Sequence, residues 1–228
     1  MNPGRSLHRA IAEYYLTMAK STSDPAPFIE RCTEILNSGQ TDRQDREAEA
    51  KADVSTGHCA HNEARGVLTV RLDAELTATP EGFREASRDA EQIDLVIGAG
   101  CGGCSAAAFE IIDAMDASPA ATTATILNYA SSSHALIFLA ADKRTMRKDA
   151  RIMLHGPTMA AYGTAFEMNR ALHMLDECTG RMHDLLNDRT PLPADIIDRL
   201  LHSGHDYWFS ADECAALGLA GFTGAASS

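Results

Sequence analysis

The sequence has few basic residues, with 20 Lys and Arg against 32 Asp and Glu and a formal net charge of −12 at pH 7. An acidic surface repels nucleic acids and anionic membranes, so we expect neither as a main partner. Long apolar runs are also missing: the longest one near the centre, 135–141, is far too short to cross a bilayer. The first ten residues contain no apolar segment of a secretory signal, and a cytoplasmic protein is therefore expected.

Cysteine is limited to six residues, and without a secretory signal these are expected to be free thiols rather than a disulfide framework. His58, Cys59 and His61 are close together in the sequence. A zinc site needs three or four converging ligands, and this segment alone does not supply them. We therefore predict no metal site and no organic cofactor. Internal repeats and low-complexity tracts are also absent from the sequence.

A change in composition near residue 65 divides the chain into two predicted parts. Residues 1–65 read as a mainly helical N-terminal extension, with helices at 6–19 and 28–36 and a charged linker or exposed helix at 41–51. Residues 66–228 are predicted to form the main domain, since 228 residues fit one domain of ordinary size with an appendage.

The main domain alternates short apolar segments with amphipathic ones. Strands are predicted at 67–70, 93–97, 121–128, 152–154 and 206–209, and helices are predicted at 105–115 and 164–186, with others starting at Thr79-Pro80, after the serines 131–133 and at Thr190-Pro191. A last helix should begin with the capping box 210–213 and end at Gly218. This alternation predicts an α/β fold with a largely parallel sheet.

Three serines, Ser131, Ser132 and Ser133, stand between a predicted strand and an apolar helix. The N-terminus of a helix favours developing negative charge, so a serine there could act as a nucleophile. His155 directly follows a predicted strand and could serve as its general base. Such serines are more often helix caps, and such a histidine is more often structural. From these residues alone, the choice between the two readings and among the three serines stays open.

The glycine-rich segment 98–103 is predicted to form a turn that opens the helix at 105–115. Backbone N–H groups at Gly102 and Gly103 could approach a substrate oxygen closely, as an oxyanion hole requires. A phosphate-binding turn is the alternative, but no lysine follows to form a P-loop. Cys101 and Cys104 also form a CxxC pair, which allows a redox or zinc site, although the order of the surrounding elements is not that of a thioredoxin.

Four motifs occur in the order found in the proteolytic subunit of Clp protease, a self-compartmentalised serine peptidase with the ClpP/crotonase fold. The G-G-S turn of that family resembles G-G-C at 102–104, and its G-Q-A-A-S-M-G-A motif resembles N-Y-A-S-S-S-H-A at 128–135. Its M-I-H-Q-P resembles M-L-H-G-P at 153–157, and its R-D-R-F-L-S-A resembles H-D-Y-W-F-S-A at 205–211. G-R-M from the family's handle helix recurs at 180–182.

The resemblance implies a spiral of ββα units with a protruding handle helix. It implies a catalytic triad in which Ser132 is the nucleophile, His155 is the base and Asp206 is the third member. The implied reaction is hydrolysis of peptide bonds by a serine endopeptidase inside a ring-shaped oligomer.

The resemblance also assigns residues around the triad. The backbone N–H groups of Gly103 and Ser133 would form the oxyanion hole. Gly102, Met159 and Ala160 would contact the substrate. The implied partners are a peptide or unfolded protein, other copies of the chain in rings stacked through the 164–186 helix, and an ATP-dependent unfoldase or a phage capsid protein. A phage-type prohead peptidase is a close variant, and the N-terminal extension would suit a scaffold or adaptor.

The chain departs from the family pattern near the predicted site. Cys101 replaces a proline, His134 replaces the glycine two residues after the nucleophile, and Met159 and Ala160 replace glycines of the substrate-pairing strand. These departures motivate an alternative, a catalytically inactive ring subunit. A crotonase-like acyl-CoA enzyme is a second alternative, because fold does not fix function.

Overall fold

A computed structural model of the chain describes residues 58–62 and 66–223, with side chains described from residue 66. The predicted helices at 6–19 and 28–36 and the charged linker lie outside the described residues. The same holds for the side chains of His58, Cys59 and His61. The proposed boundary between an extension of residues 1–65 and a domain of residues 66–228 stays a prediction.

The described part of the chain alternates strands and helices. The strands are β1 (His58–Asn62), β2 (Val67–Leu76), β3 (Gln92–Gly103), β4 (Ala121–Ser131), β5 (Lys143–Met146), β6 (Arg151–Leu154), β7 (Tyr207–Ser210) and β8 (Gly221–Phe222). The helices are α1 (Phe83–Asp89), α2 (Ser105–Ala117), α3 (Ser133–Ala140), α4 (Ala165–Arg189), α5 (Ala194–His202) and α6 (Ala211–Ala216). The predicted strands in the main domain are thus present, and several are longer than expected.

One mixed sheet contains all the described strands, in the order β1-β2-β3-β4-β5-β8, with β6 paired to β4 and β7 paired to β6. The pairs β2–β3, β3–β4, β4–β5, β4–β6 and β5–β8 are parallel, and β1–β2 and β6–β7 are antiparallel. The predicted α/β fold with a largely parallel sheet is therefore confirmed.

Strand β4 divides its free edge between two neighbours. Its first half, at 123–126, pairs with β5, and its last three residues, at 129–131, pair with β6. Carboxyl ends of parallel strands meet at one edge of a sheet, which is where ligands bind in α/β proteins. Because β4 is divided in this way, β6 and the residues directly after it lie at the carboxyl end of β4.

Helix α3 lies in the centre of the core. All eight of its residues are buried, and it contacts β3, β4, α2 and α4. A helix that is apolar around its whole circumference is stable only when it is covered on every side. The start of α3 is therefore held rigidly by the surrounding elements.

Two predicted helix starts are wrong. Thr79-Pro80 does not begin a helix, because the Thr79 hydroxyl donates to the Glu110 carboxylate instead of capping, and α1 starts only after Gly82. Thr190 does not begin one either: its hydroxyl donates to a carbonyl of the preceding helix, and α5 begins after Pro193.

The glycine segment 98–103 is also not a turn. It continues the β3 ladder in an irregular register, with Gly100 opposite Ala74 and Gly103 opposite Leu76 in β2. The cooperative pairing of a long parallel ladder outweighs the weak strand preference of glycine. The helix that follows begins at Ser105, as predicted.

The long helix α4 begins with a capping box between Thr164 and Glu167, which fits the predicted start. Its C-terminal half packs on the core through Met182 and Leu185. Two apolar residues of its N-terminal half, Met168 and Leu172, are instead exposed in this chain. Near the C-terminus, the predicted capping box of α6 forms between Ser210 and Glu213.

The end of α6 is as predicted, with Gly218 just beyond the helix at a φ of 68°. None of the helices in the described part of the chain has both the length and the apolar character that a membrane span needs.

Candidate active site

Ser132 occupies the tight connection between β4 and α3. Its backbone has φ 52° and ψ −119°, a conformation that non-glycine residues rarely adopt. Its N–H donates to the Met153 carbonyl of β6 at 2.8 Å, and its own carbonyl accepts from Leu136 in α3. Such strain is concentrated at functional sites, where the surrounding structure enforces it.

His155 directly follows β6, whose pairing with β4 sets Met153 beside Ser131. This parallel register brings two residues that are 23 positions apart in the sequence into contact. The His155 Nε2 and the Ser132 Oγ are 2.9 Å apart, and both residues are half-buried. At this distance an imidazole nitrogen can accept the hydroxyl proton.

Asp206 immediately precedes β7. In the antiparallel pair β6–β7, Leu154 stands opposite Tyr207. Continuing this register by one residue places Asp206 across from His155, on the same face of the sheet. Asp206 is half-buried. The strand pairing thus brings all three predicted triad positions to one end of the sheet.

The other two serines of the run have different surroundings. Ser131 is buried, with 2% of its surface exposed, and its Oγ has no hydrogen-bond partner. Ser133 is also buried, and its Oγ donates to the Gly103 carbonyl at 2.9 Å. Within the run, Ser132 is the serine whose hydroxyl contacts a histidine.

The glycines at the end of β3 lie against the nucleophile candidate. A Cβ at Gly102 would lie 2.9 Å from the Ser132 Cβ, and a Cβ at Gly103 would overlap the Leu76 backbone. Both glycines have positive φ, 92° and 126°, which other residues rarely adopt. Gly102 therefore brings bare backbone close to Ser132, as an oxyanion hole needs, and Gly103 is the next residue along the chain.

Ser133 is the first residue of α3. The first N–H groups of a helix have no partner within the helix, and they point outward from its N-terminus together with the positive end of the dipole. Because Ser133 directly follows Ser132, its N–H is one such group at the site.

His134 has an unexpected environment. It is 1% exposed, its ring lies against Gly100, and its Nδ1 accepts the Gly102 N–H at 3.1 Å. Burial lowers the pKa of His134 to about 4, and the nearby Asp73 carboxylate offsets this only in part. The resemblance has a glycine at this position, and a ring there would block the site if it pointed towards Ser132. The ring is instead turned into the core, and Ser132 still contacts His155.

The remaining candidates lie around this centre. Met159 and Ala160 are exposed in the segment 155–164, which has no regular secondary structure. Cys101 is half-buried and Cys104 is exposed, and neither belongs to a disulfide. Among the residues that the structure describes, no three His, Cys, Asp or Glu side chains form a group that could hold a metal ion.

A comparison with protein families agrees with this geometry. The family model described as Clp protease matches residues 82–222, which is more than half of the chain. The matched segment runs from α1 to the end of β8 and includes Ser132, His155 and Asp206. The protein with this strained serine beside a histidine at the end of a parallel sheet thus belongs to the Clp protease family.

Proposed function

We propose that the protein is a serine endopeptidase that cleaves peptide bonds with Ser132, His155 and Asp206. Membership of the Clp protease family supports a peptidase of this type. The observation that carries the assignment is the contact of 2.9 Å between the Ser132 Oγ and the His155 Nε2 at the N-terminus of α3. A nucleophile in reach of its base, on a strained turn before a helix, is the arrangement that acyl transfer requires.

In the first step, the Ser132 Oγ attacks the carbonyl carbon of the substrate while His155 takes the hydroxyl proton. The attack moves the carbonyl electrons onto oxygen. The N–H groups of Gly103 and Ser133 would hold this oxyanion, supported by the positive end of the α3 dipole. Asp206 would orient the His155 ring and stabilise the imidazolium.

The tetrahedral intermediate then collapses. Its carbon–nitrogen bond breaks, His155 returns the proton to the leaving amine, and an acyl ester on Ser132 remains. Water, deprotonated by His155, hydrolyses that ester and restores the serine. Each proton in these steps thus passes through the His155 ring. The register of β4, β6 and β7 supports this role of His155.

The substrate is proposed to lie along the segment that follows His155. Met159 and Ala160 are exposed there, and no strand pairs with this segment in the described residues. An extended peptide could add its backbone to such a segment, which is a common mode of peptide recognition. Gly102, which has no side chain, would leave room for the residue next to the cleaved bond.

We also propose that the chain assembles into rings that stack through α4. The large exposed apolar side chains of the described residues all belong to the segment 159–174, and they include Tyr162 at 95%, Phe166 at 79% and Leu172 at 57%. An apolar patch of this kind is typical of a protein interface. Replacing Leu172 with Glu should halve the mass of a stacked assembly in native mass spectrometry, whereas Glu at the exposed polar position Arg170 should not.

The substrate that enters such a stacked ring would be a peptide or an unfolded protein. An ATP-dependent unfoldase or a phage capsid protein is the partner class that the resemblance implies. Because the sequence contains no nucleotide-binding motif, any use of ATP would belong to that partner.

The test is intact-mass spectrometry after treatment with a fluorophosphonate, on wild type and on Ser132→Ala. One adduct is expected on wild type and none on Ser132→Ala. Ser131→Ala is the matched control, because it removes a neighbouring hydroxyl and should label like wild type. Equal labelling of wild type and Ser132→Ala would contradict the assignment. No labelling of a folded wild-type oligomer would favour an inactive ring subunit, or an acyl-CoA enzyme if coenzyme A raises its melting temperature.

A further inference from the structure

The two residues that follow Ser132 both bind the glycine segment at the end of β3. His134 accepts the Gly102 N–H on Nδ1 at 3.1 Å, and Ser133 donates its hydroxyl to the Gly103 carbonyl at 2.9 Å. Both side chains are buried. Two consecutive residues of α3 thus contact consecutive residues of β3, about 30 positions earlier in the sequence.

These contacts flank a single peptide group. The Gly102 N–H belongs to the peptide group before it, and the Gly103 carbonyl belongs to the one after it. Between them lies the peptide group that carries the Gly103 N–H, the proposed oxyanion donor. Glycine samples many backbone conformations, and the ladder with β2 ends at Gly103 opposite Leu76, so the local chain alone does not hold that N–H in one direction. Side chains that hold both neighbouring peptide groups would do so.

The state of the His134 ring shows that this contact is more than packing. A ring that accepts a hydrogen bond on Nδ1 carries its proton on Nε2 when it is neutral. The Nε2 is buried and has no hydrogen-bond partner. An unsatisfied buried donor is destabilising, and a leucine would fill similar space without it. The feature that distinguishes histidine here is its bond to Gly102.

The ring also has the protonation state that the contact needs. Burial lowers the pKa of His134 to about 4, although the nearby Asp73 raises it in part. The ring is therefore neutral near pH 7, and its Nδ1 is free to accept. Its place against Gly100, where a Cβ would come within 2.5 Å of the ring, keeps Nδ1 directed at Gly102.

We propose that Ser133 and His134 are positioning residues that hold the Gly102–Gly103 backbone so that the Gly103 N–H faces the oxyanion formed at Ser132. This proposal rests on the proposed function of Ser132 as the nucleophile. It predicts that the two side chains act on the transition state and not on substrate binding. A histidine at position 134, where the family pattern has a glycine, then helps to hold the site in place.

The experiment compares wild type with His134→Leu, His134→Asn and Ser133→Ala, using a short chromogenic peptide ester as substrate. Leucine keeps the bulk of the ring and removes the acceptor. Asparagine places an amide oxygen at the same distance along the side chain as Nδ1. Ser133→Ala removes only the hydroxyl and keeps the backbone N–H. Ser131→Ala is the control for loss of a buried hydroxyl next to Ser132.

We expect His134→Leu and Ser133→Ala to lower kcat about 10- to 100-fold with KM changed little, the size expected for a misdirected oxyanion donor. His134→Asn should recover most of that loss, and Ser131→Ala should behave like wild type. A kcat for folded His134→Leu within about twofold of wild type would overturn the proposal. Equal losses in the leucine and asparagine variants would also overturn it.

A second measurement does not depend on activity. Hydrogen exchange at the Gly102 amide should be faster in His134→Leu than in wild type and should be slowed again in His134→Asn. Equal exchange in all three proteins would overturn the proposal even if kcat differed. If wild type neither cleaves the ester nor labels on Ser132, the function proposed for Ser132 fails, and the positioning role fails with it. If wild type is active and the variants match it, only the positioning role fails.

Discussion

Stability at acidic pH should depend on His134. Its ring is buried between α3 and β3, with Gly102 at its Nδ1 and no partner at its Nε2. Asp73 of β2, which also pairs with Arg71, is the charged group that acts on it electrostatically. Despite this carboxylate, burial lowers the pKa of the ring from its ordinary value of 6.5 to about 4.

The direction of the pH effect on stability follows from proton binding. Between pH 6.5 and about 4, the unfolded chain binds a proton at residue 134 and the folded chain does not. The free energy of unfolding therefore falls as the pH falls through this range. A lowering from 6.5 to about 4 corresponds to about 3 kcal/mol, since one pKa unit is about 1.4 kcal/mol. Below pH 4 this contribution changes no further.

The assay is urea unfolding from pH 4 to pH 8, on proteins that carry Ser132→Ala to prevent self-cleavage, at one protein concentration. His134→Asn is compared with the parent. Carboxylates that also lose stabilisation in acid, such as Asp142 with its hydrogen bonds from Thr122, are present in both proteins and cancel in the difference. The difference in unfolding free energy should change by about 3 kcal/mol between pH 7.5 and pH 4.

Ser131→Ala supplies the control, because it changes a buried residue three positions before His134 without removing a titrating group. The plot of its unfolding free energy against pH should run parallel to that of the parent. Parallel curves for His134→Asn and the parent would refute the reasoning, since they would mean that the ring titrates alike in the folded and unfolded chains. A direct NMR titration of the His134 ring should give a midpoint near pH 4.

Other substitutions test the packing, each by urea unfolding at matched protein concentration. Gly156→Ala should destabilise by about 2–3 kcal/mol, because its Cβ would overlap the Leu201 carbonyl. Gly180→Ala in α4 should stabilise by about 0.5–1 kcal/mol, since nothing lies near its Cβ. If Gly156→Ala were as stable as Gly180→Ala, the argument from the close contact at residue 156 would be wrong. Thr164→Ala should cost about 1 kcal/mol by removing the cap bonded to Glu167, and Thr164→Ser should cost much less.

Much of the architecture was predictable from local patterns. Apolar strands separated by helices indicated a parallel sheet, because a parallel pair needs a crossover of about a dozen residues. The capping box at Ser210 and the glycine at 218 gave the limits of α6, since these signals act through neighbouring residues. The motif around His155 pointed to a family, and the order of the motifs supplied the candidate triad.

Two predicted helix caps were misread. The Thr79 hydroxyl binds Glu110, which is 31 residues away in the sequence, and the Thr190 hydroxyl binds the Leu186 carbonyl of the helix that ends there. A hydroxyl takes the acceptor that the fold brings to it, and the sequence does not state which one that is. The glycine segment at the end of β3 was misread for the same reason, because its strand pairing comes from β2.

The sequence by itself determined which residue types lie at each position of the site: a serine before a helix, a histidine after a strand, and glycines without side chains. The resemblance selected Ser132 among the three serines, but only the tertiary structure shows how it meets the histidine, because the division of β4 between β5 and β6 brings His155 to Ser132. It also decided that His134 turns into the core and binds Gly102. Local propensity acts over a few residues, whereas these contacts join positions 23 and 32 residues apart and exist only when the whole sheet has formed.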